Sequence, residues 1–129
     1  MQLLRELAAI AAGGALGATS RHLIAQAMQR WLGTAFPWGT LTVNVVGSLA
    51  IGAVYVALAQ RSGGLWRAAI LVGFIGALTT FSTFSLDTLT LLQQGHALRA
   101  GVNVLANVGV CLGAAWLGLV VCRYLMATG

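Results

Sequence analysis

The stretch Gly73-Phe74-Ile75-Gly76-Ala77-Leu78-Thr79-Thr80-Phe81-Ser82-Thr83-Phe84-Ser85 sits in the middle of a mostly apolar run from about residue 66 to residue 92. A run of that length is enough to cross a bilayer, which takes roughly 20 apolar residues. Hydroxyl side chains crowd its positions 79–85 beside two aromatic rings. Thr and Ser are mediocre helix formers and Gly is worse. Their hydroxyls also compete for backbone hydrogen bonds. The pattern predicts a helix broken near its middle. At that depth, broken backbone persists only when buried in protein or lining a cavity, and its freed carbonyls can hold a cation. The alternative is an unbroken helix whose hydroxyls bond back to it.

On either side of this run lie three more of similar length, at about 3–31, 38–60 and 98–126. The expected fold is an all-α membrane protein of four transmembrane helices forming a single domain, 1–129. Composition agrees: 59% of residues are hydrophobic and 7% charged, where a soluble domain has about 25% charged. The net charge is +5 and every basic residue is Arg. These Arg are scattered singly between apolar runs, which argues against nucleic acid as a partner and for lipid headgroups. A signal peptide over Arg5 and Leu7–Ala18 is the competing reading of the first run. Glu6 and the richness in Gly and Ala argue against it. Short loops make consecutive helices antiparallel neighbours. Cys111 and Cys122 fall on one helix, eleven residues apart, too far to bridge. They read as small buried apolar residues.

Arg5, Arg61, Arg67 and Arg123 would lie on one side of the membrane, and Arg21, Arg30 and Arg99 on the other. So even a split hardly fixes a direction. It fits a chain that inserts both ways, which would allow an antiparallel homodimer, or a fixed topology that charge counting fails to resolve. Gly13 with Gly17, Gly109 with Gly113, and Ser48 with Gly52 have the spacing that lets helices approach closely.

Polar residues inside the runs carry the functional signal, because they are costly in hydrocarbon. Thr40, Asn44 and Ser48 recur at steps of four, as do Asn103, Asn107 and Cys111. Each stripe is either interhelical glue or one wall of a polar path. Phe81 and Phe84 are three apart, on one helix face, and aromatic rings have a positive edge that can attract a small anion. These features read as a channel or transporter for a small anion. Arg21 either draws anions into a vestibule or snorkels to the headgroups. Asp87 is placed near the interface, paired with an Arg. His22 and His96 read as interfacial, as do Trp31, Trp38, Trp66 and Tyr124.

Three segments together resemble one family. Gly13-Gly14-Ala15-Leu16-Gly17-Ala18-Thr19-Ser20-Arg21, Gly39-Thr40-Leu41-Thr42-Val43-Asn44 and the run Gly73–Ser85 are similar to the Fluc (CrcB) fluoride channels, and the likeness covers all four spans in order. The resemblance implies a passive fluoride-selective channel, not an enzyme, that exports cytosolic fluoride and confers fluoride resistance. It implies a dual-topology antiparallel homodimer with two pores. Phe81 and Phe84 would turn ring edges to the ion, Asn44 would be the pore amide of the second span, and Ser82 and Thr83 the hydroxyl pair at the break. Thr40 joins them as a neighbour on the Asn44 stripe. Asn107 and Cys111 match pore positions of the fourth span, although a thiol is a poor donor. Arg21 would stand at the vestibule. A structural Na+ on the dimer axis would be held by the backbone carbonyls of Gly76 and Thr79 of each subunit. Ala77 stands where many members have a second Gly. The short chain with no targeting extension fits a bacterial inner membrane. Two other classes remain: a small proton-coupled multidrug exporter, which needs a membrane-embedded acid where this chain has only Glu6 and Asp87 near span ends, and a purely structural membrane subunit.

Overall fold

The computed structural model describes residues 1–59 and 64–128, so Arg61 of the charge count lies outside the described residues. Helix α1 spans Gln2–Leu32 and α2 spans Trp38–Ala59. The next helical rod, Gly64–Gln93, is interrupted once. Its first half, α3, covers residues 64–78, and its second half, α4, covers Phe81–Gln93. The last rod, α5, is Ala97–Ala127. Within α3 the segment Ala68–Ile75 is π-helical, as is Ala106–Val110 within α5. Such segments are rare and cluster at functional sites.

The interruption falls at Thr79 and Thr80, whose backbones are extended (φ −82°, ψ 158° and φ −154°, ψ 113°). Thr80 Oγ1 then accepts the Thr83 N–H at 3.2 Å and caps α4, as a hydroxyl at this position commonly does. Other hydroxyls do bond back to their own helix: Thr79 to Ile75 O, Ser85 to Phe81 O and Thr88 to Phe84 O. The helix breaks where two Thr meet, not where hydroxyls are merely frequent.

Among the described residues, α2, Gly64–Gln93 and Ala97–Ala127 are long and apolar enough to cross a membrane. Helix α1, with 31 residues, reaches about 46 Å, but it spans by length alone. Arg21, His22, Gln26, Gln29 and Arg30 crowd its second half, which lowers its apolarity, and Arg21 among them reaches the break.

Helix α1 packs along α3, and α2 packs most extensively along α5. After the break the chain changes neighbour, and α4 pairs with the start of α5 through a turn in which Gly95 has φ +80°. Both long contacts rely on missing side chains. A Cβ at Gly13 or Gly17 would fall 2.1 Å from Ala69 O or 2.2 Å from Phe74 O. One at Gly52 would fall 2.0 Å from Ala115 O, and one at Gly118 2.1 Å from Leu49 O. Gly109 and Gly113, expected to meet a helix, have nothing within 4 Å in this chain. Gly52→Val should therefore force α2 off α5 at a cost above about 4 kcal/mol, read as loss of monodisperse protein after detergent extraction.

The molecule is largely apolar outside, and polar side chains are buried among an apolar core that includes Val43, Ile75 and Leu78. Large apolar side chains such as Leu16, Val72, Leu105 and Trp116 are exposed, while Thr40, Thr80, Asn103 and Asn107 are buried. Among the described residues every buried side-chain N or O has a partner. The first and third turns lie at the same end, since Arg99 Nη1 donates to Ala35 O at 3.2 Å.

Candidate functional site

Asn44 of α2 sits opposite the break and completes it. Its Oδ1 accepts the Thr80 N–H at 2.8 Å, and its Nδ2 donates to Thr80 O at 3.2 Å. One side-chain amide thus supplies what a neighbouring turn of helix would supply. The same Nδ2 donates to Asn107 Oδ1 at 2.8 Å, which ties α5 to the break. Gly47, one turn along α2, makes room: a Cβ there would lie 2.2 Å from Thr79 Cγ2.

The break takes the N–H groups of residues 80 to 83 from the carbonyls four residues earlier, and two of them find side-chain acceptors. In a continuous helix, Thr80 N–H would bond Gly76 O and Thr83 N–H would bond Thr79 O. Here they go to Asn44 and to Thr80 Oγ1. The carbonyls of Gly76, Ala77, Leu78 and Thr79 therefore lack their helical donors, and Arg21 Nη1 reaches Thr79 O at 3.4 Å. Uncharged carbonyl oxygens of this kind suit a hard monovalent cation.

On one flank of the break lies an open groove of about 280 Å³. Asn44, Ser48, Phe81, Phe84, Asn107 and Cys111 line it, with Gly76 and Thr79. The rings of Phe81 and Phe84 are tilted, with centroids 5.3 Å apart. Phe84 is 7% exposed, whereas Phe81 is 77% exposed and overhangs the groove. Both belong to the first turn of α4, whose N-terminal end carries a partial positive charge. No Arg, Asp, Glu or His lines this groove among the described residues.

On the other flank is a polar funnel. Arg21, His22, Thr40, Thr80 and Thr83 line a cavity of about 230 Å³. Thr40 and Thr83 also line a neighbouring one of about 270 Å³ with Gln29, Thr34, Asp87, Thr90 and Gln94. Thr80 lines both the groove and the funnel. Arg21 thus points inward at the break instead of snorkelling. Asp87 Oδ2 accepts a 2.6 Å hydrogen bond from Thr40 Oγ1, so its partner is a hydroxyl of the funnel and not the expected Arg.

Of the residues singled out in the sequence, Asn44, Phe81, Phe84, Asn107, Cys111, Gly76 and Thr79 come together in the groove. Thr40, Thr83 and Arg21 come together in the funnel. Ser82 is exposed and lines neither; its hydroxyl lies 3.4 Å from Thr80 Oγ1. Thr80 itself was not among the site candidates, although Thr followed three residues later by Thr at a helix start is a capping signal of the weaker sort.

A membrane helix bundle with an uncharged groove carrying a few polar side chains, a dipole end and paired aromatic rings at a helix break has the architecture of a small-ion channel. Comparison with known proteins then narrows the class. Residues 8–119 match the model of the family described as CrcB-like protein, Camphor Resistance (CrcB), and the chain belongs to that family. It is 52% identical over 112 residues to a protein of Pseudoalteromonas translucida, covering 85% of this chain and 93% of that one. It is 54% identical over 111 residues to one of Shewanella amazonensis, covering 84% and 89%. A third, from Methylococcus capsulatus, is 50% identical over 121 residues, 92% of this chain but about half (53%) of its own length. Each of these relatives is named fluoride-specific ion channel FluC.

Proposed function

We propose that this protein is a passive, fluoride-selective ion channel that lets cytosolic fluoride leave the cell, and that it is not an enzyme. The observation that carries the reading is the pair Phe81 and Phe84 on the first turn of α4, facing the same uncharged groove as Asn44 and Asn107. Fluoride is small and strongly hydrated, so a path for it must replace water with fixed dipoles. Ring edges and the positive end of α4 do this without a full charge that would hold the ion. Weak, repeated binding is what conduction needs. Arg21 raises the local anion concentration in the funnel, and Thr40 and Thr83 supply hydroxyls there.

The working unit we infer is an antiparallel homodimer inserted in both orientations in a bacterial inner membrane, with α1 as the fourth span. An exposed Phe81 overhanging a groove, beside Gly76 and Thr79, supports a second copy as the missing wall. Two copies would also bring four carbonyls together, from Gly76 and Thr79 of each, around a sodium ion. That ion would supply fixed positive charge clamping the two breaks together.

The deciding experiment is fluoride efflux from liposomes holding only the purified protein, with chloride as control. Rapid fluoride loss with chloride retained supports the channel. Retention of both ions by folded protein would leave a structural subunit as the better reading. For the topology, tags on the C-terminus should be accessible from both faces of the membrane, and labelling from one face alone would reject dual insertion.

A further inference from the structure

Thr88 and Asn103 line neither the groove nor the funnel, yet a directed line of hydrogen bonds ends on them. Asn44 Nδ2 donates to Asn107 Oδ1 at 2.8 Å. Asn107 Nδ2 donates to Asn103 Oδ1 at 2.9 Å. Asn103 Nδ2 donates to Thr88 Oγ1 at 2.9 Å, and Thr88 Oγ1 donates to Phe84 O at 2.8 Å. Asn103 is wholly buried, at 0% exposure. The line joins α2, α5 and α4, and it connects the break at Thr80 with the backbone of a ring-bearing residue of the groove.

Its direction is set from both ends: the Thr80 N–H and O fix the Asn44 amide, Asn103 O accepts from Asn107 Nδ2 at 3.0 Å, and Thr88 fixes Asn103. A hydroxyl has one proton, and that of Thr88 is committed to Phe84 O. Its oxygen can then only accept, so Asn103 must turn Nδ2 toward it and Oδ1 toward Asn107. Asn107 must answer with Nδ2 and so presents its oxygen to Asn44. Asn44 answers with Nδ2 and keeps Oδ1 for the Thr80 N–H. Reversed, the ladder would show the Asn107 amino group to Asn44, draw Asn44 Oδ1 away, and leave the Thr80 N–H without its acceptor.

We propose that Thr88 and Asn103 are positioning residues that fix the amide polarity of the path. They keep the donors of Asn107 turned inward on Asn103, so that the groove does not bind its anion too firmly to release it. The proposal rests on the channel reading above. It deepens it by naming two residues that act on the ion only through others.

The test is Thr88→Val, which keeps the shape and removes the hydroxyl, against Thr88→Ser, which restores it. In liposomes Thr88→Val should lower maximal fluoride flux and the fluoride concentration for half-maximal flux together, each by about tenfold, the effect of losing one buried hydrogen-bond partner. Thr88→Ser should return both toward the starting values. Independently of flux, amide hydrogen exchange at Thr80 should quicken in the valine variant and not in the serine variant. Unchanged half-saturation with unchanged Thr80 exchange overturns the proposal, and so does a fall in flux alone. If Thr88→Val does not assemble, Thr88→Ala gives the same readouts without added bulk. A parent protein that moves no fluoride would refute the channel reading, while Thr80 exchange would still decide the ladder.

Discussion

Phe81→Ile and Phe84→Ile each reduce fluoride efflux to that of protein-free liposomes while the purified protein keeps its elution position in size exclusion. The expectation follows from what an aliphatic side chain lacks. Ile fills much of the volume of Phe, so packing changes little, but it has no ring edge bearing partial positive charge. Phe81 is 77% exposed in the single chain, so its replacement opens no cavity within a subunit. Phe84 is 7% exposed, and its replacement should cost about 1–2 kcal/mol of stability, visible as a lower melting temperature without loss of assembly. Near-normal efflux in both variants would remove the rings from the mechanism and leave the groove to its amides alone.

Asn44→Asp separates the two roles of the residue that holds the break. A carboxylate can still accept the Thr80 N–H, so the extended bend at Thr79 and Thr80 should survive. It cannot donate to Asn107 Oδ1 or to Thr80 O, and it places a negative charge in the groove. A like charge near 4 Å opposes an anion by about 4 kcal/mol at an effective dielectric of 20. Fluoride flux should therefore fall by at least about a hundredfold with folded protein retained. Asn44→Leu should instead disrupt assembly, because the Thr80 N–H then has no acceptor in a buried site. If Asn44→Asp conducts normally, the ion does not pass this residue.

Much of this was legible in the sequence for definite physical reasons. A break near the middle of the third span could be read because poor helix formers are concentrated where a span should be most regular, but not its exact place: Ser82 and Thr83, expected at the break, lie in the first turn of α4, and the extended residues are Thr79 and Thr80. The two amide stripes could be read because residues four apart share a helix face, and Asn44 and Asn107 do meet. What the stripes could not show is direction. Asn103 and Asn107 differ by one turn, yet one lines the groove and the other is fully enclosed. A π-helical segment over Ala106–Val110 contains Asn107 and separates Asn103 from Cys111, and no residue pattern marks where such a segment falls. Asp87 was misjudged for a related reason. Its depth along the span was clear, but its partner Thr40 lies 47 residues earlier, and only tertiary packing shows that the two face one funnel. The polar residues in the second half of α1 were visible in the sequence, but only packing shows that Arg21 reaches Thr79 O.

The break also divides the mechanics of the protein. A continuous rod over Gly64–Gln93 would run about 45 Å and would carry any push at one face of the membrane to the other. Instead the first half is carried by α1 and the second by the start of α5, with a two-residue joint between them. The joint is pinned sideways by Asn44 and not lengthwise by helical bonds. With no helical bond crossing from α4 back to α3, a displacement of one half need not be carried in full to the other.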